Sequence, residues 1–118
     1  MQKAPIMATA VSRIIDYLRS DGGLQGKDLA NIVSVSPATV SRWSNGKATP
    51  DLRTQTVMAE LRYVVDRLSD FYTPDETRLW LHTRHPMLNG ERAIDLINEG
   101  RTQAVLAIIE ALDAGAYT

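Results

Sequence analysis

Side chains able to do chemistry are few in this sequence, and they are scattered. His82 and His85 stand three residues apart and would share a helix face, but cysteine is absent and no third ligand follows at a recognisable spacing. No Ser-His-Asp order, paired-carboxylate pattern or glycine-rich phosphate loop appears, and Gly22-Gly23 is too short to cradle a phosphate. The sequence thus predicts no catalysis, no metal and no cofactor. A different chemistry is available from Thr39, Ser41, Arg42 and Asn45. On the outer side of a helix such a set offers donors and acceptors to base-pair edges, with Arg42 suited to a bidentate guanine contact. Ser36 opens the same segment and joins the set, while Lys47 and Arg13 are placed as phosphate contacts.

Those side chains need helices to position them, and helical periodicity runs through almost the whole chain. Over residues 7–20, Val11, Ile14, Ile15 and Leu18 recur at helical spacing until Asp21-Gly22-Gly23. A short helix over about 26–33 carries Leu29, Ile32 and Val33 on one face, with Ala30 small enough for close approach of a neighbour. Ser34-Val35-Ser36 makes a turn. Ser36 is then a helix cap, Pro37 suits the first helical position, and Asn45-Gly46 ends that helix ahead of Pro50. A long helix is expected from about Leu52 to Tyr72, with Val57, Leu61, Val64, Val65, Leu68 and Phe71 in its stripe. Thr73-Pro74-Asp75-Glu76 starts another helix bearing Leu79, Trp80 and Leu81. Arg84-His85-Pro86 interrupts the pattern and Leu88-Asn89-Gly90 turns the chain. A further helix ends at Gly100, and a last one covers about 101–114. No strand is predicted, so the fold class is all-α.

With 118 residues, 44% hydrophobic and 23% charged, the chain suits one globular body or two small helical units sharing a core. No apolar run is long enough to span a bilayer and the first residues do not read as a secretory signal, so a cytoplasmic protein is expected. Charge is divided unevenly. Residues 1–52 hold six basic and four acidic side chains, residues 53–118 seven and ten, giving +2 and −3. A basic front can meet phosphates and an acidic back cannot easily do so, which points to two faces with different partners.

Leu29-Ala30, Val35-Ser36, Thr39-Val40-Ser41-Arg42-Trp43, Asn45-Gly46 and Pro50 together read as a helix-turn-helix. Leu29, Val35, Val40 and Trp43 would wedge the two helices, leaving Thr39, Ser41, Arg42 and Asn45 outside. In these residues the chain resembles the Xre family of helix-turn-helix proteins. It departs from that pattern at Ser34, where the family usually has Gly, and at Gly26, where many members have a phosphate-holding Gln. Pro37 and Ala38 stand where base-reading side chains often sit, which leaves the reading set thin.

Further along, Trp80, Pro86, Leu88, Gly90, Leu96-Ile97, Gly100, Val105, Ile109 and Gly115 resemble the toxin-binding domain of the Xre/MbcA/ParS antitoxin family. Layout and length are most like its mycobacterial MbcA-type members. Glu91-Arg92-Ala93 stands where the family often has a proline. The resemblance implies a front DNA-binding domain, residues 1–52, joined by the long helix to a toxin-binding domain, residues 53–118. It implies as partner a RES-type toxin that consumes NAD, or a related ADP-ribosylating toxin, held inactive by occlusion of its NAD cleft. It also implies repression of the chain's own operon through operator DNA. A homodimer is expected because one short recognition helix reads only a half-site, and the broad apolar faces of residues 52–72 and 101–114 could supply its interface. Pro86, Leu88, Asn89, Gly90 and Arg92, with the tail Tyr117-Thr118, are the expected toxin contacts. The competing reading is a stand-alone helix-turn-helix regulator whose back half serves dimerisation.

Overall fold

The computed structural model of the chain describes residues 9–115. It is mostly helical, with seven helices among those residues: α1 (Ala10–Ser20), α2 (Gly26–Val33), α3 (Pro37–Ser44), α4 (Leu52–Leu68), α5 (Pro74–His82), α6 (Ala93–Asn98) and α7 (Thr102–Asp113). Among them no helix is long and apolar enough to cross a membrane.

Helix starts follow the expected chemistry. Thr9, Ser36, Asp51 and Thr73 each have extended backbone and accept the N–H three residues on with a side-chain oxygen, satisfying a donor the helix itself leaves free. Thr73 and Glu76 do so reciprocally, at 3.2 Å and 2.9 Å. Left-handed residues close two of the helix ends in the helix-turn-helix segment. Gly46 (φ 74°) lets Lys47 N–H reach the Arg42 carbonyl at 2.8 Å, and Ser34 (φ 62°, ψ 47°) lets Val35 N–H reach that of Ala30 at 2.9 Å. Ser34 thus holds a conformation that costs a residue with a Cβ on the order of 1 kcal/mol.

One hydrophobic cluster runs from Ile15 to Ile109 and joins all seven helices except for their exposed faces. α4 is its axis: Val57, Met58, Leu61, Val64, Val65 and Leu68 are all buried, and the helix packs on α1 at one side and on α6 and α7 at the other. Tyr17 of α1 adds a polar tie, donating its hydroxyl to Asp66 at 3.0 Å beneath the Arg62 guanidinium, which lies 4.6 Å from its ring centre.

Three expectations are corrected. A strand pair is present: β1 (Arg84–His85) and β2 (Glu91–Arg92) are antiparallel, Arg84 opposite Arg92 and His85 opposite Glu91. Two residues per strand are too few for alternation to register as a pattern. α4 stops at Leu68, four residues short of the expected end. Phe71 and Tyr72 N–H groups both bond the Leu68 carbonyl, a tightening that Thr73, forced extended by Pro74, cannot continue as helix. Phe71 consequently leaves the stripe and is 38% exposed. His82 and His85 do not share a helix face, since α5 ends at His82 and His85 lies in β1. The helix start expected at Met7 lies outside the described residues.

Candidate functional site

Two surfaces gather the polar and apolar side chains that the core does not use. The first is the outer face of α3. Val40 and Trp43 are buried, which turns Ser41, Arg42 and Asn45 outward. Ser36, Thr39 and Arg42 form a chain: the Ser36 and Thr39 hydroxyls are 3.0 Å apart, and Arg42 donates to Thr39 Oγ1 at 3.1 Å. Thr39 is half-buried and Ser36 also caps the helix through Thr39 N–H at 3.1 Å, so both hydroxyls are occupied. Asn45 and Lys47 are exposed just beyond the helix end. Arg13 is brought elsewhere, into a groove between α1 and α4 beside Ile14, Ala59 and Arg62.

A second surface surrounds the β1–β2 hairpin. Between the strands a short 3-10 turn, Pro86–Leu88, is followed by Asn89 (φ 57°) and Gly90 (φ 80°). Gly90 N–H returns to the His85 carbonyl at 2.9 Å, and the Arg84 guanidinium grips the Gly90 carbonyl at 3.1 Å. Leu88 is buried and roots the turn in the core, while Pro86 and Asn89 remain outside. Arg92 is drawn down by Asp95 in a two-pronged ion pair at 2.9 and 3.1 Å, and the Asp95 carboxylate raises its pKa further.

His85 Nε2 donates to the Trp80 carbonyl at 2.8 Å and stacks obliquely on the Trp80 ring, centres 4.4 Å apart. His82 Nδ1 donates to the Arg78 carbonyl at 2.8 Å. Each imidazole therefore has a structural partner, and among the described residues no group of three or more His, Asp or Glu side chains is placed to hold a metal ion. Beside the stacked rings lies a cleft of about 360 Å³ lined by Tyr72, Trp80, His85, Pro86, Met87, Ile108 and Leu112. Met87 in its lining is 59% exposed, and Leu79, 66% exposed, lines an adjoining groove that shares Tyr72, Trp80 and His85 with it.

The two surfaces are braced against each other through α5. Arg78 donates two hydrogen bonds to the buried carboxylate of Asp28 in the first turn of α2, at 2.8 and 3.0 Å, and Gln25 N–H adds a third at 2.9 Å. Arg78, then the Gln25 amide, hold the Asp28 carboxyl below its usual range despite the opposing effect of burial. A few residues away Gly23 (φ 64°) touches the first turn of α5 so closely that a Cβ there would lie 2.6 Å from the Pro74 carbonyl oxygen.

Of the residues singled out from sequence, Ser36, Thr39 and Arg42 are brought together, with Ser41 on the same outer face. Pro86, Asn89, Gly90 and Arg92 share the hairpin; Tyr117 and Thr118 lie outside the described residues. Sequence reasoning missed the Asp28–Arg78 brace, whose partners are 50 residues apart with nothing local to link them. It also missed the exposed edge at Leu79. A signal was present there, because Leu79, Trp80 and Leu81 are consecutive and a helix cannot turn three successive side chains inward.

A buried-core helical scaffold that exposes one polar and one apolar face has the surfaces of a binding protein. Comparison with known proteins gives the family. The pattern of the antitoxin Xre/MbcA/ParS C-terminal toxin-binding domain matches residues 68–115. Over 112 residues the chain is 31% identical to the mycobacterial cidal antitoxin MbcA of Mycobacterium tuberculosis, covering 95% of this chain and 96% of the relative. It is 34% identical over 110 residues to the probable mycobacterial cidal antitoxin Rv3188 of the same species, covering 93% of each. Its fold superposes with a TM-score of 0.81 on a chain of the M. tuberculosis MbcT–MbcA toxin–antitoxin complex, at 27% identity, over 94% of this chain and 100% of that one. The chain belongs to the Xre/MbcA/ParS antitoxin family, and members of that family are not enzymes.

Proposed function

We propose that this protein neutralises a cognate toxin of the RES type, or a related ADP-ribosylating toxin, by docking on it and occluding its NAD cleft. The observation that carries this reading is the end-to-end likeness to MbcA, together with the superposition on a chain from a toxin–antitoxin complex. Physical support comes from the hairpin surface. It lies within residues 68–115 and combines an apolar cleft with exposed hydrophobic edges, the composition of a protein-binding face. The net charge of −3 on residues 53–118 favours approach to a cationic cleft that receives a pyrophosphate. Pro86, Asn89, Gly90 and Arg92, with Tyr117 and Thr118, are the proposed contacts; Leu88, expected among them, is buried and serves to anchor their turn in the core.

Within the same proposal residues 1–52 bind operator DNA and residues 53–118 bind toxin, and the chain represses its own operon in the cytoplasm. α3 enters the major groove, Arg42 reads a guanine, Ser36, Thr39, Ser41 and Asn45 assist, and Lys47 and Arg13 meet phosphates. One recognition helix of eight residues covers only a half-site, which calls for a homodimer.

The test is co-purification with the product of the neighbouring reading frame, then an NAD-consumption assay on that product with and without this chain. A stable complex with NAD consumption abolished is the expected result. A neighbour that neither binds nor consumes NAD would transfer the case to the stand-alone regulator.

A further inference from the structure

Resting on the antitoxin reading, we propose that the cleft between α5, the hairpin and α7 anchors the toxin by receiving one of its apolar or aromatic side chains. Affinity is set in this cleft. The cleft's volume of about 360 Å³ suits a large side chain. Its walls are Tyr72, Trp80, His85, Pro86, Ile108 and Leu112, a set rich in the aromatic residues that dominate binding hot spots. They are also already fixed. The Trp80 ring is held by stacking on His85, and His85 is held by the Trp80 carbonyl, so docking there orders little that was free.

Met87, 59% exposed, lines the mouth of this cleft, and Leu79, 66% exposed, lines an adjoining groove that shares Tyr72, Trp80 and His85 with it; both carry a cost in water that burial in a complex removes. Pocket and rim fall entirely within the matched segment 68–115, whereas the other strongly exposed apolar side chains, Leu52 and Tyr63, fall outside it. That placement selects the toxin, rather than a second copy of this chain, as the occupant.

The experiment titrates the neighbouring-frame toxin against the full-length chain and its Leu79→Arg, Met87→Arg and Leu52→Arg variants. All three positions face solvent, and an unchanged thermal midpoint verifies that the fold is kept. Expected is a loss of toxin affinity on the order of 30-fold for each rim variant and less than about 2-fold for Leu52→Arg. Tight binding by the parent chain with both rim variants unaffected overturns the anchor and leaves the antitoxin reading intact. Rim variants that bind toxin normally but lose self-association assign the cleft to a second copy, which also overturns it. If the parent chain itself does not bind, both readings fall together.

Discussion

On α3 the outward side chains Ser36, Thr39 and Arg42 already hydrogen-bond one another, whereas at the hairpin Leu79 and Met87 stand in water with most of their surface uncovered. A polar face of the first kind is at rest when unoccupied. To engage DNA it must exchange its internal bonds for external ones, and its gain comes from displaced counterions. An apolar face of the second kind is uncomfortable alone and gains by dehydration, with little dependence on salt. Under the proposed function, this contrast is what lets one small chain serve two partners of opposite chemistry. It also implies that a partner bound at the hairpin stabilises the whole body, because the core is shared.

The largest expected effect tests whether the two faces belong to one cooperative unit. Arg78→Ala leaves the buried Asp28 carboxylate with only the Gln25 N–H and is expected to lower unfolding stability by about 2 kcal/mol, the half-exposed position of Arg78 letting water replace part of what it gave. Denaturation should stay a single transition when followed by both far-ultraviolet circular dichroism and tryptophan fluorescence, Trp43 reporting the front and Trp80 the back. Two separated transitions would show the comparison to be one between independent domains. The same pair predicts an acid limb. Because the folded Asp28 pKa is depressed, its contribution is complete above the unfolded value, near 3.8, and is lost as pH falls from there through the lower folded value. Asp28→Asn should flatten that limb below about pH 4 while leaving the slope at neutral pH alone.

Next in size is the salt test. Raising salt from roughly 50 to 200 mM is expected to weaken operator binding by at least about 10-fold, while toxin binding, whose charge contribution acts on the rate of approach and whose affinity comes from apolar burial, changes by less than about 3-fold. Arg42→Ala should cost about 1–3 kcal/mol on the operator and relax preference at one base pair, with toxin affinity unaffected. Gel-shift titration on the DNA upstream of the chain's own reading frame measures the first and calorimetry with toxin the second. Comparable salt slopes for the two partners would erase the distinction between the faces.

Much of this arrangement could be read from the residues alone, and where it could not the cause is identifiable. Caps at Ser36 and Thr73, the stop at Gly100 and the stripe of α4 are local signals, each fixed by neighbours within one helical turn. The outer face of α3 was legible for that reason: Val40 and Trp43 point inward, so Ser41 and Arg42 must point out. The partner face was legible only in part. Pro86 and Gly90 mark the hairpin, but its strands are too short to show a period, and its cleft is assembled from α5, the hairpin and α7, which meet only in three dimensions. The same holds for Asp28 and Arg78, whose pairing follows from how α2 packs near α5 and from nothing in either helix.

The smallest effect compares the turns that shape the two faces. Both place a non-glycine residue in the left-handed region, Ser34 between α2 and α3 and Asn89 in the hairpin. Asparagine tolerates that conformation because its short amide can satisfy local backbone groups, whereas serine has less such compensation. Ser34→Gly should therefore stabilise the protein by up to about 1 kcal/mol, the relief of Cβ strain exceeding the added freedom of the unfolded chain. In a chain of this size that raises the melting temperature by about 4 °C, readable by calorimetry. Asn89→Gly should move it by less than half as much. Equal gains at both positions would mean that the two turns are strained alike. A loss at Ser34 would mean that its side chain supports the helix-turn-helix more than its backbone strains it, and the departure from glycine there would then be a stabilising feature of the front face.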